Sequence, residues 1–126
     1  MIGSIIVVVE DDPLVRCDAV TMLEEAGLDV VEFETGDDAL SYVFEQSANV
    51  GGVFTDLRMD GGHTDGLELA ETVARRWPHI AVILTSGQAN PRPELMASVT
   101  FLPKPWLPLH VLTAMQNAAE WTRKAA

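Results

Sequence analysis

The chain has 126 residues, a length suited to one domain around one core. Eight Lys and Arg stand against nineteen Asp and Glu, for a net charge of −11, which argues against binding nucleic acid or an anionic membrane surface. No apolar run nears the roughly eighteen residues of a membrane span, no secretory leader is readable, and a single cysteine, Cys17, excludes an internal disulfide, so the cytoplasm is the expected compartment.

Ile5–Val9 is a run of five β-branched residues, as in a strand buried on both faces. Pro13 suits a first helical turn; Val15, Ala19, Met22, Leu23 and Ala26 recur at helical spacing, and Gly27 stops that helix. Asp29–Glu34 mixes polar and apolar residues, as an edge strand does. Asp37–Glu45 reads as a helix with Ala39, Leu40, Val43 and Phe44 on one face. Val53–Thr55 reads as a short strand, and Gly36, Gly51, Gly52 and Gly66 as turn glycines. Gly66–Trp77 is a helix with Leu67, Ala70, Val73, Ala74 and Trp77 as its stripe, and Pro78 follows it. Ile80–Leu84 is a second wholly apolar strand. Pro91–Ala97 is a short, proline-rich helix, Val99–Leu102 a strand closed by Pro103, and Leu109–Thr122 a last helix with Leu112, Met115 and Ala119 inward.

Five strand–helix units in succession imply an α/β fold, a doubly wound five-stranded parallel sheet with helices on both faces. The wholly apolar first and fourth strands belong inside the sheet, and the mixed second and proline-ended fifth at its edges. The order 2-1-3-4-5 satisfies this and puts a ligand-binding crevice between the carboxyl ends of strands one and three. Charge is uneven: residues 1–50 carry twelve acids and one base, Arg16, whereas residues 51–126 carry seven of each. A protein partner repelled by acid would prefer the second half.

The chemistry-bearing residues fall at the carboxyl ends of the strands. Strand one runs into Glu10, Asp11 and Asp12, strand three into Asp56, strand four into Thr85 and Ser86, and strand five into Lys104-Pro105. Glu10, Asp11 and Asp56 would converge at the crevice, and each close pair of carboxylates costs on the order of 1–4 kcal/mol. A hard divalent cation such as Mg²⁺ removes that cost and leaves room for a phosphoryl oxygen. Asp56 can then act as a nucleophile that forms an aspartyl phosphate, with Lys104 and Thr85 meeting the phosphoryl oxygens.

With these residues in view, "IIVVVEDDPLVR", "VFTDLRM", "DGLELA", "ILTSG" and "FLPKPW" together resemble the response-regulator receiver domain of two-component signalling, over about residues 4–121. The resemblance implies a flavodoxin-like receiver fold over residues 1–126, with no output domain. It implies that Asp56 is the phosphoacceptor. Glu10, Asp11 and Asp56 hold Mg²⁺ with the Arg58 backbone carbonyl, Lys104 contacts the phosphoryl group, and Thr85 and Phe101 form the switch. The Lys104-Pro105 peptide is expected to be cis. A histidine kinase or phosphotransfer protein supplies the phosphoryl group, and catalysis is limited to the domain's own phosphorylation and dephosphorylation. The face formed by Pro91–Ala97, strand five and the last helix then changes shape to control a protein partner, or the domain serves as a phosphate relay or sink. A monomer or weak homodimer is expected.

The chain also departs from the family pattern. The loop Met59–Gly66 is two residues longer than usual, and Asp60 replaces a proline; this should loosen the loop and alter the lifetime of the phosphoryl group. Trp106 stands where Phe is frequent, and Pro91 and Pro93 shorten the fourth helix.

Plainer readings exist for single residues. Asp12 is taken as a helix cap. Asp56 alone could be a turn residue, Thr85 an ordinary strand residue and Lys104 a solvated charge. Cys17 reads as a packing residue, and His63, His79 and His110 lack metal-ligand spacing. Two other functions compete. A Mg²⁺-dependent phosphohydrolase of the haloacid-dehalogenase type would need a second Asp two positions after Asp56, where Arg58 stands. A phosphorylation-independent interaction domain would have no use for the acid, hydroxyl and lysine set.

Overall fold

A computed structural model describes residues 4–57, 65–86, 99–103 and 110–113. Along the chain run β1 (Ile5–Val9), α1 (Pro13–Glu25), β2 (Asp29–Phe33), α2 (Gly36–Gln46), a 3-10 turn (Ser47–Asn49), β3 (Val50–Asp56), α3 (Gly66–Arg76), β4 (Ala81–Ser86) and β5 (Thr100–Pro103). Residues 110–113 are helical. All four strand pairings are parallel, and the order is β2-β1-β3-β4-β5, the doubly wound sheet expected from the alternation of elements.

The two-residue period of the strands divides the core between two faces. Val7, Val9, Val53, Val82 and Leu84 pack under Ala39 and Val43 of α2 and Leu69, Ala70 and Val73 of α3. Ile6, Val8, Phe54, Ala81 and Ile83 pack on the other face under Ala19, Met22 and Leu23 of α1 and against Val111. Each fully buried aliphatic side chain contributes about 1.5–3 kcal/mol, so burial of β1, β3 and β4 on both faces fixes the centre of the sheet. β2 exposes Asp29 and Glu32, as an edge strand does.

Local signals set the helix ends. Asp12 caps α1, its side chain accepting the N–H groups of Leu14 at 2.9 Å and Val15 at 3.4 Å, with Pro13 in the first turn. Gly27 ends that helix at φ 88°, a conformation that side chains beyond glycine resist. Thr35 caps α2 and Asp65 caps α3.

Three expectations need correction. β3 begins at Val50, not Val53, and holds Gly51 and Gly52 inside it. The β1–β3 register slips between Ile5, paired with Val50, and Ile6, paired with Gly52, so Gly51 is the extra residue of a bulge rather than part of a turn. β4 and β5 both run farther toward their carboxyl ends than the apolar runs suggest, which brings Thr85 into β4. Phe44 is 48% exposed instead of facing inward with Val43. Its ring meets Trp77 edge-on at 5.0 Å, under the Arg76 guanidinium at 4.6 Å. The helix expected over Pro91–Ala97, and all but residues 110–113 of the span expected over Leu109–Thr122, lie outside the described residues. Among the described residues, no helix is long and apolar enough to cross a membrane.

Candidate functional site

β1 and β3 are neighbours, and their register pairs Val9 with Thr55. The residues that follow therefore leave the sheet side by side, at the point where the winding reverses. Here carboxylate oxygens of Glu10, Asp11 and Asp56 lie within 4.8 Å of one another. Glu10 is 4% exposed, while Asp11 and Asp56 are half-buried. The Glu10 N–H donates to the Phe33 carbonyl at 3.1 Å, and its Oε2 accepts the Asp12 N–H at 3.1 Å.

β4 aligns the third side of the crevice. Asp56 pairs in register with Thr85, which is 1% exposed, and the Leu57 N–H donates to the Thr85 carbonyl at 2.7 Å. One pair back, Phe101 of β5 lies beside Leu84 and packs, half-buried, against the core under α2 and α3. The structure thus brings Glu10, Asp11, Asp56 and Thr85 to one edge, with Phe101 a strand away. Arg58, Lys104, Pro105, Asp60 and Trp106, and with them the expected cis peptide and the longer loop, lie outside the described residues.

Two residues that no motif-based role had singled out bear on this edge. The Gly66 N–H donates to the Leu57 carbonyl at 3.1 Å, and a Cβ at Gly66 would sit 1.6 Å from the Asp56 carbonyl oxygen. Only glycine permits α3 to start this close to β3. Arg16 reaches from α1 to the Glu10 carbonyl, at 2.8 Å. The sequence signals were there: a glycine directly after the Asp65 cap, and a lone base in an acidic half.

The donor set suits a small, hard cation. Three carboxylates offer only oxygen, and opposite ligands of an octahedral Mg²⁺ stand about 4 Å apart, close to the observed spread. Without a cation each close pair repels by about 1–4 kcal/mol.

A doubly wound parallel sheet with three acids gathered at its switch point defines an α/β domain with a candidate cation site. Residues 6–116 match the family model described as response regulator receiver domain, and the chain belongs to that family. It is 26% identical over 122 residues to the nitrogen assimilation regulatory protein NtrX of Azorhizobium caulinodans, covering 94% of this chain and 26% of that protein. It is 28% identical over 120 residues to the hydrogenase transcriptional regulatory protein HoxA of Cupriavidus necator, covering 90% of this chain and 24% of that one. The chain therefore spans about a quarter of the length of these curated relatives. Its fold is similar to that of a response regulator receiver domain protein from Clostridium thermocellum, with a TM-score of 0.83 at 21% identity, over 98% of this chain and 99% of the other.

Proposed function

We propose that this receiver domain takes a phosphoryl group onto Asp56 from the phosphohistidine of a histidine kinase or phosphotransfer protein. The observation that carries this reading is the convergence of the Glu10, Asp11 and Asp56 carboxylates at the switch point, beside Thr85. An Asp56 carboxylate oxygen attacks phosphorus. The new P–O bond forms as the P–N bond breaks, and the electron pair stays with the imidazole, which takes up a proton. Glu10, Asp11 and Asp56 would hold Mg²⁺ together with the Arg58 backbone carbonyl; when bound, the ion neutralises charge on the carboxylates and the phosphoryl oxygens. The Thr85 hydroxyl donates to one phosphoryl oxygen and Lys104 pairs with another.

The acyl phosphate carries about −1.5 to −2 charges in place of the single charge of the Asp56 carboxylate, and it brings three strong acceptor oxygens to this edge. Thr85 is drawn toward it, Phe101 follows into the vacated space, and the face around β5 and residues 110–113 presents a new shape to a protein partner. Its action is that of a phosphoacceptor within the cytoplasm, with catalysis confined to its own phosphorylation and dephosphorylation.

Incubation with acetyl phosphate and Mg²⁺ tests the reading. The wild-type chain is expected to gain the mass of one phosphoryl group and Asp56→Asn to gain none. No gain in the wild type favours a phosphorylation-independent interaction domain, and an equal gain in Asp56→Asn moves the acceptor elsewhere.

A further inference from the structure

Arg16 is the one basic residue among the first fifty, against twelve acids. It stands in the first turn of α1, where the helix dipole disfavours a cation. Its contacts supply the reason for its place. Nη1 donates to the Glu10 carbonyl at 2.8 Å and Nε donates to Glu32 Oε1 on β2 at 3.0 Å. The Arg16 side chain is 18% exposed and that of Glu32 50%. The N–H of Glu10 is meanwhile held by the Phe33 carbonyl at 3.1 Å. The Glu10 peptide is thus fixed on both flanks, by β2 on one side and by α1 on the other. A planar guanidinium suits this task, because its donors are set in one rigid fork.

We infer that Arg16 is a positioning residue for a divalent-cation site. By gripping the Glu10 carbonyl it sets the direction in which Glu10 and Asp11 carry their carboxylates, and Glu32 aligns the guanidinium. The inference rests on the proposed role of Glu10, Asp11 and Asp56 as cation ligands. Without the grip, the repelling carboxylates spread apart, and the cation must gather them again on binding. Plain electrostatics predicts the opposite sign. Removing a positive charge near three acids should tighten cation binding, so the direction of the change separates the two effects.

The test is calorimetric titration of the metal-free protein with Mg²⁺ alone. Arg16→Met keeps the aliphatic stem and removes both donors. It is expected to weaken Mg²⁺ about 10-fold or more, the usual loss when a group supporting a ligand is removed. Glu32→Ala is expected to weaken binding less, and the double variant no more than Arg16→Met alone. These losses should persist in about 1 M salt, where the Debye length falls to about 3 Å and exposed charges are screened. Binding by Arg16→Met as tight as the wild type, or tighter, overturns the inference; so do independent, multiplying losses in the double variant. Should Arg16→Met fail to fold, the exposed Glu32→Ala decides, and unchanged affinity at high salt overturns the inference. A wild-type chain that binds no Mg²⁺ sinks the underlying reading as well. Binding that Asp56→Asn weakens and Arg16→Met leaves intact sinks this inference alone.

Discussion

Asp56 and Thr85 are register partners on adjacent parallel strands, locked by the 2.7 Å bond from the Leu57 N–H to the Thr85 carbonyl. The main chain of Thr85 is therefore tied to the end of β3, while its hydroxyl is the part available to respond to chemistry at Asp56. Thr85→Val keeps the branched shape and removes the hydroxyl. It should bind Mg²⁺ like the wild type and still accept a phosphoryl group. What it should lose is the structural response, read as the change in amide hydrogen exchange of β5 on phosphorylation. A full response in Thr85→Val would show that the hydroxyl has no part in the switch.

Gly66 and Gly27 offer a matched pair of substitutions. A methyl group at Gly66 meets the Asp56 carbonyl oxygen at 1.6 Å, so Gly66→Ala must push α3 away from β3. The cost should reach or exceed the 1–3 kcal/mol or so of ordinary overpacking, and Asp56 should move with its own backbone. Gly27→Ala meets nothing within 4 Å but must hold φ 88°, at a cost of about 1–2 kcal/mol. Both variants should unfold at lower temperature. Only Gly66→Ala should also weaken Mg²⁺ binding, and equal affinities in the two would release Asp56 from any dependence on Gly66.

Much of this edge was legible in the sequence because the strands are short apolar runs that end abruptly in polar residues. Glu10 and Asp11 follow a run that must be buried, so they must emerge at a sheet edge. Asp56 and Thr85 follow the same logic on β3 and β4. The start of β3 was hidden because Gly51 and Gly52 carry no apolar signal, and pairing with β1 carries the strand through them by way of a bulge. Phe44 was misplaced because helical spacing alone cannot tell a core face from its margin; its exposed ring is accommodated by Trp77 and Arg76, partners from α3 and its end. Arg16 and Gly66 leave only weak signals, a lone base in an acidic half and a glycine directly after the Asp65 cap, because their contacts run to main-chain carbonyls and not to other functional side chains.

Mutual repulsion among Glu10, Asp11 and Asp56 predicts that stability depends on a cation. Ligand that binds only the folded state adds RT ln(1 + [L]/Kd), about 2.7 kcal/mol when Mg²⁺ is at 100 times its Kd. The thermal midpoint of the wild type should therefore rise with Mg²⁺ and return when a chelator removes it. Asp11→Asn takes one charge from the cluster. Without metal it should be as stable as the wild type or more so, and Mg²⁺ should add little. A wild-type midpoint indifferent to Mg²⁺ would count against the cluster as a cation site.

Asp12 sits next to two of these acids yet is bound to different work. Its carboxylate accepts the N–H groups of Leu14 and Val15 and is exposed at the start of α1. Its backbone N–H, which donates to Glu10 Oε2, survives any side-chain replacement except proline. Asp12→Ala should therefore cost about 1 kcal/mol through the lost cap, seen as a lower midpoint in chemical denaturation. Mg²⁺ affinity should stay within about twofold of the wild type, since one screened, exposed charge near the site contributes little. Asp12→Asn, which retains a capping oxygen, should recover most of the stability. Loss of Mg²⁺ binding in Asp12→Asn as severe as in Asp11→Asn would make Asp12 a ligand instead of a cap.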